Sequence, residues 1–311
     1  MEHWGWLIAI YLFLGGLGAG AYLTSFAAEK GFLGGATNLN RVGYYVSAPI
    51  VGFGALLLVT DLGQGLRKPW LILGMFANLN SVMTWGIYIV SAFIFVALAT
   101  AYFVWKKKQA PKLLTYIGAV LALSTAAYTG MLLAVVEAVP FWHSYLMPVL
   151  FVISAMSTGL ALTSMLAYFF EKQQVHEERV SQLHLLLVGA EIIIIAAFFA
   201  LIYFGGQGSV AIESANRIVI GSLAWPFWVL LVVGGLLGPM LIFFVQQFRR
   251  KRQKGVAQNE DMTVQVEQVT EGNPKSQGAL ILLDVAVIAG GLTLRCVIIF
   301  AALPVWNGFL R

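Results

Sequence analysis

The sequence predicts an all-α, polytopic membrane protein with about eight transmembrane helices, arranged as two four-helix bundles. Of its 311 residues, 59% are hydrophobic and 11% are charged, whereas about a quarter of the residues of a typical soluble protein are charged. A helix crosses a bilayer with about 20 mostly apolar residues, and runs of that length follow one another along the chain. Because these runs are continuously apolar rather than alternating, they exclude a transmembrane barrel. We expect spans near residues 4–26, 42–62, 80–105, 112–137, 143–170, 181–204, 218–247 and 279–301.

The first span is interpreted as a retained helix and not as a cleaved signal peptide. Ser25–Ala28 is faintly similar to a cleavage site, but Met1–His3 contains no lysine or arginine, and the apolar run is long enough to span. Gly16 and Gly20 stand four residues apart within this run. Small residues at that spacing let helix backbones approach closely in lipid, so we expect a tightly packed helix.

The distribution of lysine and arginine predicts the orientation of the spans. If the N-terminus is outside the cytoplasm, fourteen of these residues lie on inner loops and four on the outer side. Positive residues concentrate in cytoplasmic loops, so we expect an inner-membrane protein with both termini on the outer side. The one long polar connection, 249–277, begins with a basic cluster and is predicted to be a flexible cytoplasmic loop.

We treat residues 1–311 as a single integral membrane domain. The segment from Asn80 to Trp85, at the start of the third span, weakly echoes the segment from Arg217 to Trp225 before the seventh. This echo predicts two halves, residues 1–140 and 141–311.

The cysteine and histidine inventory argues against a metal centre in this protein. A single cysteine, Cys296, can neither ligate an iron–sulfur cluster nor form an internal disulfide. His3 and His143 are expected at the outer surface, and His176 and His184 at or near the inner one. A haem held by two histidines needs a facing pair at one depth within the bilayer, so we expect neither haem nor another metal.

Polar and aromatic residues concentrate at the outer ends of the spans, above all between Tyr128 and Gly159. An interfacial aromatic belt accounts for the tryptophans, but it does not account for the carboxyl and amide groups there. Tyr128 lies nine residues before the predicted end of its span, or about 13 Å below it. Its phenol either bonds a neighbouring helix or donates to the carbonyl of a membrane-dissolved ligand such as a quinone. The outer polar residues are Asp61, Asn80, Glu137 and His143.

Three ionisable residues are predicted to lie deep within spans: Glu191, Asp284 and Arg295. Such groups are functional candidates by default. Asp284 and Arg295 are eleven residues apart, so they share a helix face but stand about 16 Å apart along the axis. They are therefore not expected to pair. They either line a proton path together with Glu191 or are neutralised structural groups.

The sequence resembles the NrfD/PsrC family, the integral membrane subunits of polysulfide-reductase-like and nitrite-reductase-associated respiratory complexes. The resemblance covers nearly the whole length, and its motifs are specific in combination. They are GGLGAG at 15–20, Asp61-Leu62-Gly63 with Arg67 and Trp70, SVMTWG at 81–86, Tyr128-Thr129-Gly130, LMPVLF at 146–151, Ser154-Ala155 and Ser157-Thr158-Gly159.

The resemblance implies an eight-helix protein without haem that exchanges electrons between membrane quinol, menaquinol above all, and a partner at the outer face. That partner would be a four-cluster, ferredoxin-like iron–sulfur subunit, which serves a catalytic subunit that is often of the molybdopterin type. In the polysulfide-reductase branch, a tyrosine of the fourth span hydrogen-bonds the quinone head group, and Tyr128 occupies the matching position. That branch also uses polar residues near the start of the first span, where this sequence offers only His3.

Together these observations give a set of site hypotheses. Tyr128, Asn80 and His143 would contact the quinone, and Asp61 and Glu137 would accept its protons. The protein would then contribute the quinol oxidation site of a complex whose catalytic centre lies in another subunit. Two alternatives stay open: a proton-translocating or ion-conducting subunit that uses Glu191, Asp284 and Arg295, and a purely structural anchor.

Overall fold

The structure is a computed structural model that describes residues 5–33, 39–61, 81–107, 109–171, 178–257 and 274–305. Within these ranges, eight helical stretches are long and apolar enough to cross a membrane, one for each predicted span. The predicted all-α membrane fold is therefore confirmed. The helices are α1 (Trp6–Glu29), α2 (Leu39–Asp61), α3 (Val82–Lys107), α4 (Lys112–Ala134), α5 (Leu146–Glu171), α6 (Glu178–Phe204), α7 (Ser209–Val219), α8 (Pro226–Leu237), α9 (Gly238–Ala257) and α10 (Pro274–Phe300).

The seventh span consists of α8 and α9, and its first twelve residues are wound as a π-helix. Its start differs from the prediction, because the short helix α7 ends at Val219 and the span begins only at Pro226. Proline is favoured at the first position of a helix, where its missing N–H leaves no carbonyl unpaired. Of the polar segment predicted for 249–277, the first part continues α9 to Ala257 and the last part belongs to α10 from Pro274, and residues 258–273 lie outside the described residues.

The helices form two antiparallel bundles that share an interface. In the first bundle, α1 packs against α2 and α4, and α3 lies between α2 and α4. In the second, α5 packs against α6 and α10, and the α8–α9 span lies between α6 and α10. The bundles meet where α1 contacts α5 and α10 and where α4 contacts α5. We call the side on which α1 begins the outer side, after the predicted orientation, and the opposite side the inner side.

Glycine makes the interface between the bundles possible. A Cβ atom added to Gly20 of α1 would overlap the carbonyl of Ala155 on α5, and one added to Gly159 of α5 would overlap the backbone of Gly20. The two helices therefore cross with their backbones in direct contact, as the small-residue spacing in the sequence predicts. α1 is consequently enclosed along most of its length.

A compact segment, residues 135–145, joins α4 to α5 on the outer side. Trp142 of this segment is fully buried, and its indole Nε1 donates a hydrogen bond of 2.9 Å to the carbonyl of Ile298 on α10. The backbone N–H of Val305 donates to the carbonyl of Ala138 over 2.8 Å. A buried indole N–H needs a hydrogen-bond acceptor, and the acceptor here belongs to α10. Trp142 therefore fixes the segment to the second bundle.

Candidate functional site

The phenol of Tyr128 lies between three helices of the first bundle. Its side chain projects from α4 and is 6% exposed, and its ring rests on Gly86 of α3. A Cβ atom at Gly86 would overlap the ring and the hydroxyl of Tyr128, so only glycine leaves room for the phenol at this place. We call this place, formed by Tyr128, Gly86 and Tyr11, the Tyr128 seat.

One feature of the Tyr128 seat distinguishes it from ordinary packing. Among the residues that the structure describes, none forms a hydrogen bond with the Tyr128 hydroxyl. Thr125 and Ser124, which share its face of α4, bond instead to the carbonyls of Leu121 and Val120 on their own helix. The hydroxyl of Tyr128 is therefore available to donate a hydrogen bond to a ligand.

The phenol of Tyr11 on α1 completes the seat. Tyr11 is buried, and its phenol interacts electrostatically with that of Tyr128. The seat is shallower than predicted, because α4 ends at Ala134 instead of residue 137. Tyr128 is therefore six residues, or about 9 Å, below the outer end of its helix.

The other residues predicted at the outer edge have different positions. Glu137 and His143 are exposed on the segment that follows α4. The Nδ1 atom of His143 lies 3.0 Å from the carbonyl oxygen of Ala134, and because a carbonyl only accepts, that nitrogen carries the proton. Nε2 is then left as an acceptor at the outer surface. His143 caps the end of α4, a role that the sequence pattern did not indicate.

Three predicted contacts lie wholly or partly outside the described residues. Asp61 is the last residue of α2, but its side chain is outside the description. Asn80 and His3 are also outside it.

A second polar centre lies in the other bundle, around Arg295 of α10. The guanidinium is fully buried. Its Nε donates to the carbonyl of Leu12 over 3.2 Å, and its Nη1 donates to Ser154 Oγ over 3.1 Å and to the carbonyl of Gly291 over 2.9 Å. The rings of Phe13 and Phe151 flank it, with centroids 5.6 and 5.1 Å from Cζ.

Arg295 needs a gap in α1, which Gly16 provides. A Cβ atom at Gly16 would lie 2.6 Å from Nη2, too close for any nonbonded contact. Nη2 has no hydrogen-bond partner among the described residues. The Glu191 carboxyl on α6, 3% exposed, faces Ser154 and Arg295, and the part of the sequence that is described shows no ion pair between Glu191 and Arg295.

A third polar contact, between His184 and Asp284, lies nearer the inner side. His184 Nε2 is 3.8 Å from Asp284 Oδ1, and both side chains are buried. The imidazole stacks on Phe243 of α9, with ring centroids 4.8 Å apart. As their spacing predicts, Asp284 and Arg295 form no ion pair. His184 lies near the inner end of α6, as the sequence predicts, but its side chain is buried within the bundle. Its spacing of seven from Glu191 puts both residues on one helix face.

The Tyr128 seat and the Arg295 centre stand at the same depth on different faces of α1. Tyr11 belongs to the seat, whereas the next residue, Leu12, provides the carbonyl that Arg295 binds. Likewise, a Cβ atom at Gly15 would contact Thr129 of α4, and one at Gly16 would contact Arg295. α1 thus separates two buried polar centres, one in each bundle.

The comparisons with known proteins agree on one family. Residues 2–256 match the sequence model of the family described as polysulphide reductase, NrfD. The protein is 29% identical to the C subunit of polysulfide reductase from Wolinella succinogenes, across 96% of its own length and 93% of that subunit. It is 28% identical to protein NrfD of Escherichia coli, across 77% and 83% of the two sequences. It is also 22% identical to the Hdr-like menaquinol oxidoreductase integral membrane subunit of Archaeoglobus fulgidus, across 77% and 62%.

Proposed function

Since this protein belongs to the family described as polysulphide reductase, NrfD, we propose that it is the membrane subunit of a respiratory oxidoreductase complex that oxidises menaquinol. It would pass the electrons to an iron–sulfur subunit at the outer face, which in turn serves a catalytic subunit. One relative is named a menaquinol oxidoreductase subunit, and this favours menaquinol as the donor. Both termini would face the outer side of the inner membrane, as the distribution of positive residues predicts.

The observation that carries the proposal is the Tyr128 side chain, which is buried and whose hydroxyl forms no hydrogen bond with the described residues. A quinone head group is apolar except for two carbonyl oxygens, so a pocket for it needs apolar walls and one or two hydrogen-bond donors. The Tyr128 seat offers the phenol of Tyr128, with which the buried phenol of Tyr11 interacts electrostatically, within a helix bundle. Its depth of about 9 Å below the end of α4 is a depth at which a lipid-soluble head group can reside.

The residues around the seat would orient the quinol and receive its protons. Oxidation releases two electrons to the partner and two protons to the outer water. The Tyr128 hydroxyl would hold one quinol oxygen, with Asn80 as a further contact. The exposed Glu137 and the free Nε2 of His143 would accept protons at the surface, together with Asp61.

Replacing Tyr128 by Phe tests the proposal. The change removes only the hydroxyl, and we expect a loss of about 1 kcal/mol of ligand binding, or roughly fivefold in affinity. Quinol oxidation by the assembled complex should show a higher KM, and a quinone-site inhibitor should bind correspondingly less tightly. Stability should change little, because the hydroxyl makes no hydrogen bond to the described residues.

Tyr22→Phe is the matched control. Tyr22 is a buried phenol of the same bundle, and its hydroxyl contacts Thr100 Oγ1 at 3.1 Å, nearer the inner side. Its loss should lower stability by about 1 kcal/mol and leave inhibitor binding unchanged. Unchanged quinol kinetics and inhibitor affinity in Tyr128→Phe would instead favour a purely structural anchor.

A further inference from the structure

We propose that the inner ends of α3 and α4 form a binding site for an anionic phospholipid, whose phosphate lies between Lys106 and Lys112. We call this surface the lysine edge, and it consists of residues 98–107 of α3 and 112–123 of α4. It lies at the opposite end of the first bundle from the Tyr128 seat. The proposal therefore holds whether or not the seat binds quinol.

The first argument is an excess of positive charge at the lysine edge. Residues 106–112 contain four lysines, and the sequence has no aspartate or glutamate between Asp61 and Glu137. Lys106 and Lys112 are exposed, and neither forms an ion pair within the part of the chain that the structure describes. Basic clusters next to membrane helices on the inner side attract anionic lipid head groups.

Two neighbouring inner ends lack this excess of positive charge. At the end of α1, Lys30 Nζ lies 2.9 Å from Glu29 Oε1, so the two charges offset each other. Residues 171–179, where α5 ends and α6 begins, contain three glutamates and only two lysine and arginine residues. An anionic lipid therefore gains more electrostatic attraction at the lysine edge than at either of these ends.

The second argument is that lysines of both helices can reach one phosphate. α3 ends at Lys107, α4 begins at Lys112, and the two helices pack against each other. Packed helix axes lie about 8–10 Å apart, a distance that two long, flexible lysine side chains can close around one phosphate.

The Lys106 ammonium group is partly fixed in position. Its Nζ donates a hydrogen bond of 3.3 Å to the hydroxyl of Tyr102, one turn deeper on α3, and lies 5.6 Å from the centroid of that ring. An ammonium group has three N–H donors. Lys106 therefore keeps two donors for the oxygens of a phosphate.

The third argument is the apolar surface below the lysines. On α3, the exposed side chains of Leu98, Tyr102 and Trp105 are four and three residues apart and share one helix face. On α4, Leu113 and Val120 are exposed and share a face because they are seven residues apart. Tyrosine and tryptophan favour the depth of the head groups, and the aliphatic side chains deeper in the membrane offer a surface for acyl chains. The lysine edge thus fits a charged head group with hydrocarbon tails.

These features favour a phosphoglycerol lipid of net negative charge over a zwitterionic lipid, whose ammonium group the lysines repel. Each lysine near an anionic membrane surface strengthens binding about fivefold. Two lysines on one phosphate should therefore give a preference of about 25-fold for the anionic lipid.

The test combines native mass spectrometry of the purified, assembled complex with thermal unfolding in detergent. Phosphatidylglycerol, phosphatidylcholine or inorganic phosphate is added in turn. Wild type should retain phosphatidylglycerol, which should stabilise it at concentrations about 25-fold lower than phosphatidylcholine does. Joint replacement of Lys106 and Lys112 by Gln should abolish this difference, and joint replacement by Arg should preserve it. Arg179→Gln, at an exposed arginine at the inner end of α6, is the matched control and should leave the difference unchanged.

Several results would overturn the proposal. Wild type could be stabilised equally by the two lipids, or the double Gln variant could retain phosphatidylglycerol as wild type does. An equal loss of the lipid preference in Arg179→Gln would show a general effect of charge. Stabilisation by inorganic phosphate as strong as that by phosphatidylglycerol would identify a free anion as the ligand. Amine-reactive crosslinks between Lys106 residues of two copies in the native membrane would show that a second copy covers the lysine edge.

Discussion

Gly86→Ala is the substitution that tests most specifically how the Tyr128 seat is built. The added methyl group would overlap Cζ, Cε2 and the hydroxyl oxygen of Tyr128, all at the far end of a stiff side chain. Nonbonded carbon atoms rest about 3.5 Å apart, so the phenol would have to move by at least about 1 Å. A displacement of that size breaks a hydrogen bond, whose length varies by only a few tenths of an ångström.

These contacts set the expected losses of stability and of ligand affinity in Gly86→Ala. Overpacking of this kind costs about 1–3 kcal/mol of stability. The ligand would in addition lose its hydrogen bond to Tyr128, worth about 1 kcal/mol, or roughly fivefold in affinity. The assays are thermal unfolding in detergent and binding of a quinone-site inhibitor to the assembled complex.

Gly118→Ala provides the matched control for this prediction. A Cβ atom at Gly118 would overlap the hydroxyl of Tyr22 in the same way, but in the inner half of the bundle. Both variants should lose stability, and only Gly86→Ala should lose inhibitor affinity. If the Gly86→Ala complex binds the inhibitor as tightly as wild type, or if Gly118→Ala weakens binding equally, the assignment of the seat is wrong.

Two further substitutions probe contacts that hold the two bundles together. Trp142→Phe removes the hydrogen bond to the carbonyl of Ile298 and should lower stability by about 1–3 kcal/mol, measured by thermal unfolding. Inhibitor affinity should stay unchanged. A large loss of affinity would show that Trp142 belongs to the ligand site. Gly159→Val inserts a side chain where α5 touches the backbone of Gly20 and should cost about 3 kcal/mol, seen as a reduced yield of assembled complex. Gly189→Val, at a glycine of α6 with open space around it, should be tolerated, and equal losses at both positions would contradict the close crossing of α1 and α5.

The spans could be predicted from the sequence because hydropathy and length alone decide whether a helix crosses a bilayer. Their ends were less predictable. The expected end of α4 at residue 137 and start of α5 at 143 missed the compact segment around Trp142, whose indole is fixed by a distant helix. A hydropathy pattern carries no information about such a contact.

For the candidate site, too, single residues could be identified from the sequence, but contacts between different helices could not. Tyr128 was identified from its motif and depth, but its seat depends on Gly86, and only the packing of α3 on α4 reveals that pair. Glu191, Asp284 and Arg295 were identified as unusual charges within apolar runs. The partner of Asp284, His184, was missed because the rotation of α6 against α10 is set by tertiary packing, and no sequence spacing encodes it.

Photo-crosslinking of a menaquinone analogue to the assembled complex, with the adducts mapped by mass spectrometry, tests the central claim most directly. The label should fall on the residues that surround the Tyr128 seat on α1, α3 and α4, and an excess of unlabelled menaquinone should suppress it. Tyr128→Phe should reduce the labelling, whereas Tyr22→Phe should not. Labelling confined to the second bundle, or labelling that menaquinone does not suppress, would contradict the assignment of Tyr128 as the quinol-binding residue.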